Sequence, residues 1–366
     1  MRLQHVAVTN FRNLSTLRFD PGGQFNLFYG PNGHGKTNLL EAIHLLGSVR
    51  SFRTVRLPEL IRHGELRAQV HGAVESNGIR NELRLTLESG GRRVEIDGKA
   101  IHRASDLHGK LNTVVFSPDD SGMVRMGPET RRRYLDRAVY MGDIGYLHCW
   151  HDYQRILKQR NVLLKSTDKS GLEVWTEKLA EAGAEVIERR QKFVSILNGK
   201  LLQHYATISG HSEVCGISYR PDGIHSSERE EIKNELISLF KRHERSDERY
   251  GTTTAGPHRD DLNFLLDERP LKAFGSQGQQ KSFVLSLKMA EMDNLQEIFG
   301  VSPLLLLDDM SSELDAGRNN NLMEFLIARD IQVFITTTER SPALFKAAPN
   351  CAVFRVEDGN LTFEGN

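Results

Sequence analysis

The chain has 366 residues, 39% of them hydrophobic, and its 48 basic side chains balance its 48 acidic ones. This is enough for one or two domains with substantial cores. No apolar run approaches the ~20 residues that a transmembrane helix needs, and the first residues contain no secretory apolar segment, so we expect a cytoplasmic protein without a membrane partner. Cys149, Cys215 and Cys351 are scattered and odd in number, which predicts neither a disulfide framework nor a zinc site.

A glycine-rich segment stands between a short apolar strand, Gln24–Tyr29, and the helical pattern of Thr37–Gly47. It fits the phosphate-loop pattern G-x-x-x-x-G-K-[ST] with Gly30, Pro31, Asn32, Gly33, His34, Gly35, Lys36 and Thr37. The glycines let backbone N–H groups reach phosphate oxygens, and the helix N-terminus adds partial positive charge. We expect Lys36 to reach the β- and γ-phosphates of ATP and Thr37 to ligate Mg²⁺. The alternative is a glycine-rich turn that matches by chance.

The pattern changes along the chain in a way that suggests three parts. Alternating apolar residues at 83–87 and 94–96 predict antiparallel strands, whereas residues 122–272 are mostly helical in pattern. We therefore divide the chain into a first ATPase lobe at 1–121, a compact helical lobe at 122–272, and the remainder of the ATPase sheet at 273–366.

A second motif, Ser276-Gln277-Gly278-Gln279-Gln280, precedes a long helical pattern. Ser276 is a natural N-cap, and a helix N-terminus with a serine and a glycine, here Gly278, makes a good anion site. In its own subunit such a site lies far from the phosphate loop, so we expect it to meet the ATP of a second copy. An ordinary capped helix is the alternative.

A third motif closes the set. Pro303–Leu307 is a continuous apolar run, as a buried parallel strand should be. Asp308 at its end is predicted to hold Mg²⁺. Asp309 stands where cassette ATPases usually carry the glutamate that polarises the attacking water, so Asp309 and Lys36 are the candidate catalytic residues. The side chain of Asp309 is one methylene shorter than glutamate, which predicts slow hydrolysis. A helix-capping or surface carboxylate is the alternative for Asp309.

Basic residues are unevenly distributed, with a net charge of +4 over residues 1–121, +2 over 122–272 and −6 over 273–366. Any DNA contact must therefore be a local patch. Two arginine groups are candidates: Arg50, Arg53 and Arg56 in the first lobe, and Arg131, Arg132 and Arg133 in the helical lobe. The alternatives are a solvated basic face and, for the second group, pairing with neighbouring acids.

Together these motifs predict an α/β fold: a P-loop NTPase with an ABC/SMC-like head and an inserted, mostly helical lobe. The chain also resembles the RecF family, head-like relatives of the SMC and ABC ATPases, over essentially its whole length. The segments that carry the resemblance are the phosphate loop, Val8–Asn13, Gly127–Asp136, Leu157–Asn161, Gly256–Leu262 and Asp308–Asp315. Of these, G-P-E-T-R-R-R-Y-L-D and G-P-H-R-D-D-L are the specific ones.

The resemblance implies a function that the residues alone do not give. It implies ATP-dependent DNA binding and homodimerisation, a weak DNA-stimulated ATPase, and a role in recombinational repair, replication restart and the SOS response. RecR, RecO and RecA are the implied partners, with RecA loaded at single-stranded gaps. SMC-like heads also place the turn after the first strand near the nucleotide, so we expect Arg12 to contact a phosphate.

Other classes of ATPase are the competing interpretations. The ATPase subunit of a transporter would carry a stricter signature, a glutamine near Ser117–Asp120, and a histidine near Thr336–Thr338 after the buried strand Ile331–Ile335. A nuclease-fused ATPase would need a further acidic domain, but only 51 residues follow Asp315. A purely structural nucleotide-binding module is disfavoured by the two adjacent aspartates. Another SMC-like ATPase remains open.

Overall fold

The computed structural model describes residues 1–210, 213–309, 316–340 and 351–365. The Ser311–Asp315 part of the third motif therefore lies outside the described residues. The helices and strands that begin before residue 122 are β1 (Arg2–Phe11), β2 (Leu14–Phe19), β3 (Phe25–Tyr29), α1 (Lys36–Ser48), β4 (Arg67–Ser76), β5 (Ile79–Glu88), β6 (Gly91–Ile96), β7 (Lys99–Ile101), α2 (Ala104–Leu107), β8 (Thr113–Phe116) and α3 (Pro118–Arg125).

The middle of the chain is rich in long helices. Its elements are α4 (Pro128–Gly142), α5 (Ile144–Lys165), α6 (Leu172–Ser209), β9 (Cys215–Arg220), α7 (Arg229–Tyr250), β10 (Asp261–Leu266), β11 (Arg269–Pro270) and α8 (Leu271–Phe274). The described elements that follow are α9 (Gln277–Phe299), β12 (Leu304–Leu307), α10 (Ala316–Ile327), β13 (Val333–Thr337), β14 (Cys351–Glu357) and β15 (Asn360–Gly365).

The chain divides into two compact units. The first comprises Met1–Ser121, His204–Ser212 and Gln277–Asn366, and the second Gly122–Gln203 and Glu213–Ser276. Among the described residues, no helix combines the length and the apolar character needed to cross a membrane.

The first unit contains a mostly parallel sheet whose described strands follow the order β15-β14-β3-β13-β12-β8. The strands from β14 to β8 are parallel, and β15 is an antiparallel edge strand. The residues of β12 are all buried, as the apolar run predicts. Because β3, β13 and β12 are adjacent and parallel, the segments after their carboxyl ends meet at one edge of the sheet, where open α/β sheets bind ligands.

An antiparallel sheet forms the other half of this unit, in the order β2-β1-β4-β5-β6-β7. Leu83, Leu85 and Leu87 alternate with exposed or half-buried residues along β5, which confirms the antiparallel strands predicted there. Helix α1 shares one buried apolar cluster with both sheets. The approach is close, because a Cβ on Gly72 of β4 would lie 2.7 Å from Leu46 Cδ1 of α1. This packing fixes the helix that follows the phosphate loop.

The second unit combines long helices with a small antiparallel sheet in the order β11-β10-β9. The helical pattern of the sequence did not indicate this sheet. Buried ion pairs cross the unit: Arg160 of α5 pairs with Asp247 of α7 at 2.7 Å, and Arg190 of α6 pairs with Asp136 of α4 at 2.7 Å. Such pairs are costly to break, because the remaining partner is left as a buried charge.

One strand boundary differs from the prediction in a way that affects the site. We expected a strand at Ile331–Ile335 with three threonines after it, but the strand is Val333–Thr337. Its register with β3 pairs Thr336 with Phe28 and Thr337 with Tyr29. Thr336 and Thr337 are therefore the last two residues of the sheet strand and are fully buried.

Candidate nucleotide-binding site

A cleft of about 370 Å³ lies at the carboxyl ends of the parallel strands in the first unit. Its lining brings together two motifs that are far apart in the chain. The lining residues are Asn32, Gly33, Gly35, Lys36, Thr37, Asn38, Arg53, Pro118, Asp308, Asp309 and Thr336. The phosphate loop supplies one wall, and the end of β12 supplies the other.

The loop requires glycine at Gly30 and Gly35 for two separate reasons. Both have positive φ, 149° and 110°, in the region that residues with a Cβ rarely adopt. Both are also closely packed: a Cβ on Gly30 would lie 2.1 Å from Val356 O, and one on Gly35 would lie 2.8 Å from Leu14 Cδ2. His34 anchors the loop from outside, since its carbonyl accepts from Gly359 N–H at 3.0 Å.

Lys36 is the first residue of α1, and only 8% of it is exposed. Its ammonium group donates to the carbonyls of Gly30 at 2.7 Å and Pro31 at 2.8 Å, so it curls back over the loop. Burial lowers the pKa of Lys36, and the carboxylates of Asp309 and Asp308 act in the opposite direction. These contacts place its positive charge within the phosphate cleft.

Asp308 lies directly after β12 and receives hydrogen bonds from two threonine hydroxyls. Thr37 donates to both carboxylate oxygens at 2.9 Å, and Thr336 donates to Oδ1 at 2.6 Å. Burial raises the pKa of Asp308, while the Thr336 and Thr37 hydroxyls oppose that shift. A buried carboxylate beside a threonine hydroxyl is the donor set that P-loop enzymes use for Mg²⁺, so these two residues fit the ion.

Asp309 turns the chain out of the strand with φ of 51°, a left-handed conformation that aspartate adopts more readily than most residues. Its backbone N–H donates to the Thr336 hydroxyl at 2.9 Å. Its side chain is half-buried and lines the cleft. Asp309 thus stands in the cleft beside the predicted Mg²⁺ ligands, and the sequence offered no signal for the part that Thr336 plays in placing it.

Arg12 makes different contacts from those that the sequence suggested. Its guanidinium pairs with Glu41 of α1, whose side chain is fully buried, and also donates to the Glu59 carbonyl at 3.2 Å. The expected phosphate contact of Arg12 thus competes with a buried ion pair. Next to it, Asn13 Nδ2 donates to the Gly33 carbonyl at 3.2 Å, so this turn supports the phosphate loop directly.

Arg53 lines the same cleft as Lys36 and Asp308, and its predicted DNA contact stays a prediction. Its guanidinium donates to Asn38 Oδ1 at 2.7 Å and lies 3.5 Å from the Glu41 carboxylate. A cation in this position suits a phosphate of the nucleotide. Arg50, Arg53 and Arg56 are all exposed, so charge clustering alone gave no means of separating Arg53, which lines the cleft, from the other two.

The signature segment lies where the sequence predicted it. Ser276 is exposed and immediately precedes α9, and Gly278 lies in the first turn. A Cβ on Gly278 would lie 2.3 Å from Arg318 Nη1 of α10, so a larger residue here would require the Arg318 side chain to move. Within the described part of the chain, the residues that line the phosphate cleft do not include Gly278.

Arg131 and its two neighbours are mainly engaged within the second unit. Arg131 is buried and forms a two-bond pair with Asp261 at 2.7 Å, as the alternative of pairing with a neighbouring acid predicts. A DNA contact of Arg131 would have to compete with this pair and stays a prediction. Arg132 donates to the Asp260 carbonyl at 2.7 Å. Arg133 is exposed and pairs only loosely along its own helix with Glu129, because both side chains lie in solvent. For Arg133 the DNA contact stays a prediction.

A second cleft, of about 630 Å³, lies on the solvent face of the antiparallel sheet. We call it the arginine cleft after Arg67, Arg84 and Arg93, which are exposed and lie on β4, β5 and β6. Glu88 and Glu95 are its acidic members. Arg92 lines it as well, and burial followed by the nearby charge of Arg50 lowers the pKa of Arg92. Sequence clustering missed this group, because register rather than proximity in the chain brings it together.

Comparisons with known proteins agree over the full length. The family model for the RecF/RecN/SMC N terminal domain matches residues 2–362. The DNA replication and repair protein RecF of Trichlorobacter lovleyi is 50% identical, covering 100% of this chain and 99% of that one. The protein of the same name from Geobacter sulfurreducens is 45% identical, covering 99% and 100%.

Solved structures give the same result. The recombination mediator protein RecF with ATP, in the RecFOR pathway, is 32% identical with a TM-score of 0.89 and 99% coverage of both chains. An SMC head bound to the C-winged helix domain of ScpA has a TM-score of 0.59 at 14% identity, covers 100% of this chain and 98% of that one, and supports the fold alone.

The fold and the cleft together define a P-loop ATPase with the head architecture shared by SMC and ABC proteins. Within that class, the chain belongs to the RecF family.

Proposed function

We propose that this chain is an ATP-driven, DNA-binding switch of recombinational repair and replication restart, which dimerises on ATP and is released by slow hydrolysis. The single observation that carries the proposal is the meeting of Lys36, Thr37 and Asp308 in one cleft of a RecF-family chain. Asp308 is a buried carboxylate that accepts hydrogen bonds from two neutral hydroxyls, and a buried charge is costly unless it is paired. A bound Mg²⁺ would supply the opposite charge.

The chemistry follows from the positions of the side chains. Thr37 and Asp308 would hold Mg²⁺, which when bound neutralises charge on the phosphates. Lys36 would exchange its two carbonyl partners for the β- and γ-phosphates, since a charge-assisted hydrogen bond is stronger than a neutral one. Asp309 would orient the attacking water. Its short side chain has less reach than a glutamate, and this supports a weak, DNA-stimulated ATPase.

DNA binding is the part of the proposal for which the structure changes the candidate residues. Arg67, Arg84 and Arg93 line one concave face of the first unit, and Arg50 and Arg56 are exposed on a nearby stretch of the same unit. Arginines on a concave face suit the phosphodiester backbone, which accepts charge-assisted hydrogen bonds without regard to sequence. Single-stranded and duplex DNA share this backbone, so both are ligands in the proposal.

The partners follow from the family. The solved RecF structures that this chain resembles are structures of the RecFOR pathway, and this supports RecO and RecR as partners. We propose that the chain works in the cytoplasm with RecR and RecO and assists the loading of RecA at single-stranded gaps.

The test is a DNA-binding titration with the full chain on gapped, single-stranded and duplex DNA, with ATP, with ADP and without nucleotide. The proposal requires affinity to rise with ATP and Mg²⁺ and to fall as salt increases. Equal affinity in all three nucleotide states would contradict an ATP-driven switch. Absence of DNA binding in every state would contradict the DNA function and leave only a nucleotide-binding protein.

A further inference from the structure

Thr336 connects the two aspartates of the site through a single hydroxyl group. Its O–H donates to Asp308 Oδ1 at 2.6 Å, and its oxygen accepts from the backbone N–H of Asp309 at 2.9 Å. A hydroxyl has one hydrogen to donate and lone pairs to accept. The donor and acceptor roles are therefore both assigned, and the rotation of the Thr336 hydroxyl is fixed.

The two bonds act on different parts of the site. The bond to Asp308 selects one orientation of the carboxylate that would hold Mg²⁺. The bond from Asp309 holds the backbone at φ of 51°, a conformation that a non-glycine residue keeps only when its surroundings determine it. Because Thr336 lies on β13 and the aspartates follow β12, the sheet holds the Asp308 carboxylate and the Asp309 backbone in place through one side chain.

The neighbouring Thr337 provides an internal comparison. It is also 0% exposed and lies on the same strand, but its hydroxyl has no hydrogen-bond partner within the described parts of the chain. Successive side chains of a strand point to opposite faces, so the two threonines differ in surroundings although they are identical in type and burial. The functional contacts belong to Thr336.

We propose that Thr336 is a positioning residue for ATP hydrolysis, which holds the Mg²⁺-binding Asp308 and the water-orienting Asp309 in a fixed relation. This rests on the proposed function of the cleft. Thr336 acts through the two aspartates and needs no contact with phosphate. Nucleotide affinity without metal should therefore not depend on it, whereas metal affinity and turnover should.

The test compares Thr336→Val, Thr336→Ser and Thr337→Val in the full chain. Valine keeps the shape of threonine and removes both hydrogen bonds, whereas serine keeps the hydroxyl. Losing a hydrogen bond to a charged group predicts a loss of roughly tenfold or more. Thr336→Val should raise the Mg²⁺ concentration for half-saturation and lower single-turnover hydrolysis by at least that factor. In both measurements Thr336→Ser should stay within about threefold of the wild type. Thr337→Val should give the same values as the wild type.

Two readouts are independent of turnover. A fluorescent ATP analogue measures affinity in EDTA, which Thr336→Val should leave unchanged. Mn²⁺ binding to the ATP-loaded chain, followed by electron paramagnetic resonance, should weaken in Thr336→Val and recover in Thr336→Ser. If Thr336→Val does not fold, Thr336→Ala against Thr336→Ser carries the same comparison.

Wild-type Mg²⁺ dependence and hydrolysis in Thr336→Val would overturn the proposal. Equal impairment in Thr336→Val and Thr336→Ser would also overturn it, because keeping the hydroxyl would then make no difference to the site. A wild-type chain that neither binds ATP nor hydrolyses it would instead contradict the proposed function, and that failure is recognisable without any variant.

Discussion

Thr37 and Asp308 stand 271 residues apart in the chain, yet the Thr37 hydroxyl donates to both carboxylate oxygens of Asp308 at 2.9 Å. The contact exists because β3 and β12 are parallel neighbours of β13 and end at the same edge of the sheet. The phosphate loop and the acidic strand end are thereby held together by the protein's own hydrogen bonds. A preorganised site of this kind needs little rearrangement when its ligand binds.

Replacing Lys36 with Met should strongly weaken nucleotide binding. The variant loses a charge-assisted contact to the phosphates, which predicts a loss in ATP affinity of roughly ten- to a hundredfold. Equilibrium titration with a fluorescent ATP analogue measures this loss. The matched control is Lys99→Met, an exposed lysine on β7. Unchanged affinity in Lys36→Met would show that the loop does not bind triphosphate.

The arginine cleft should contribute to DNA affinity through electrostatic contacts with the phosphates. Replacing Arg67, Arg84 and Arg93 with Ala should weaken binding to all sequences alike and reduce the slope of log affinity against log salt by roughly 0.9 for each lost duplex contact. Fluorescence anisotropy at several salt concentrations gives the slope. Arg245→Ala, an exposed change on α7, serves as the control. If affinity and slope both stay at wild-type values, the cleft is a solvated surface.

Replacing Arg131 should destabilise the chain much more than replacing Arg133, because Arg131 is buried and Arg133 is exposed. Arg131→Ala leaves Asp261 without its two-bond partner and should lower the free energy of unfolding by about 3 kcal/mol. Arg133→Ala, two residues along the same helix, breaks only an exposed pair and should cost less than about 0.5 kcal/mol. Urea unfolding of both variants compares them directly. Equal stability of the two would contradict the buried pair.

His258 should make the second unit sensitive to acid. Its Nδ1 lies 2.6 Å from the Tyr153 hydroxyl, its Nε2 lies 3.1 Å from the Thr253 carbonyl, and burial lowers its pKa to about 4. Since the unfolded chain protonates at a pKa of ~6.5, the unfolded state binds more protons between these values. The contribution of His258 to the free energy of unfolding is therefore fully present above about pH 6.5 and is lost as the pH falls towards 4.

The gap between the two pKa values is worth roughly 3 kcal/mol. His258→Gln should flatten the fall in unfolding free energy between pH 6.5 and 4, even if its stability at neutral pH is lower. An unchanged slope in that variant would contradict a buried neutral histidine.

The parts of the site that belong to short sequence motifs could be predicted from the sequence. Lys36, Thr37 and Asp308 each belong to a pattern with a fixed chemical role, and the structure brings them into one cleft. The sequence also predicted the antiparallel strands around Leu85, because alternation is a property of neighbouring residues.

Contacts between distant segments were beyond the sequence. Arg53 and Arg56 have the same charge and neighbouring positions, but only Arg53 is turned into the cleft by Asn38 and Glu41. Arg131 is a candidate DNA contact by its charge, and only the structure shows that β10 places Asp261 beside it. The sequence did not indicate a role for Thr336. The strand ends two residues later than expected, and this places Thr336 within the strand, where its hydroxyl reaches Asp308.

We propose that ATP joins two copies of this chain, with each copy presenting its signature segment to the nucleotide of the other. A two-fold arrangement uses the same surfaces on both subunits, and ATP stabilises it by mass action because it contacts both subunits only in that state. Ser276→Arg would put a bulky cation where the γ-phosphate bound by the second copy would lie. Asp309→Asn should leave ATP binding intact and remove the carboxylate that we propose orients the water.

Sedimentation velocity of the wild type, Ser276→Arg and Asp309→Asn, with and without ATP and Mg²⁺, tests this claim most directly. Ser170→Arg, an exposed loop change, is the control. We predict that the wild type dimerises only with ATP, that Ser276→Arg binds ATP but stays monomeric, and that Asp309→Asn accumulates as a dimer. A Ser276→Arg chain that dimerises with ATP as the wild type does would contradict the account.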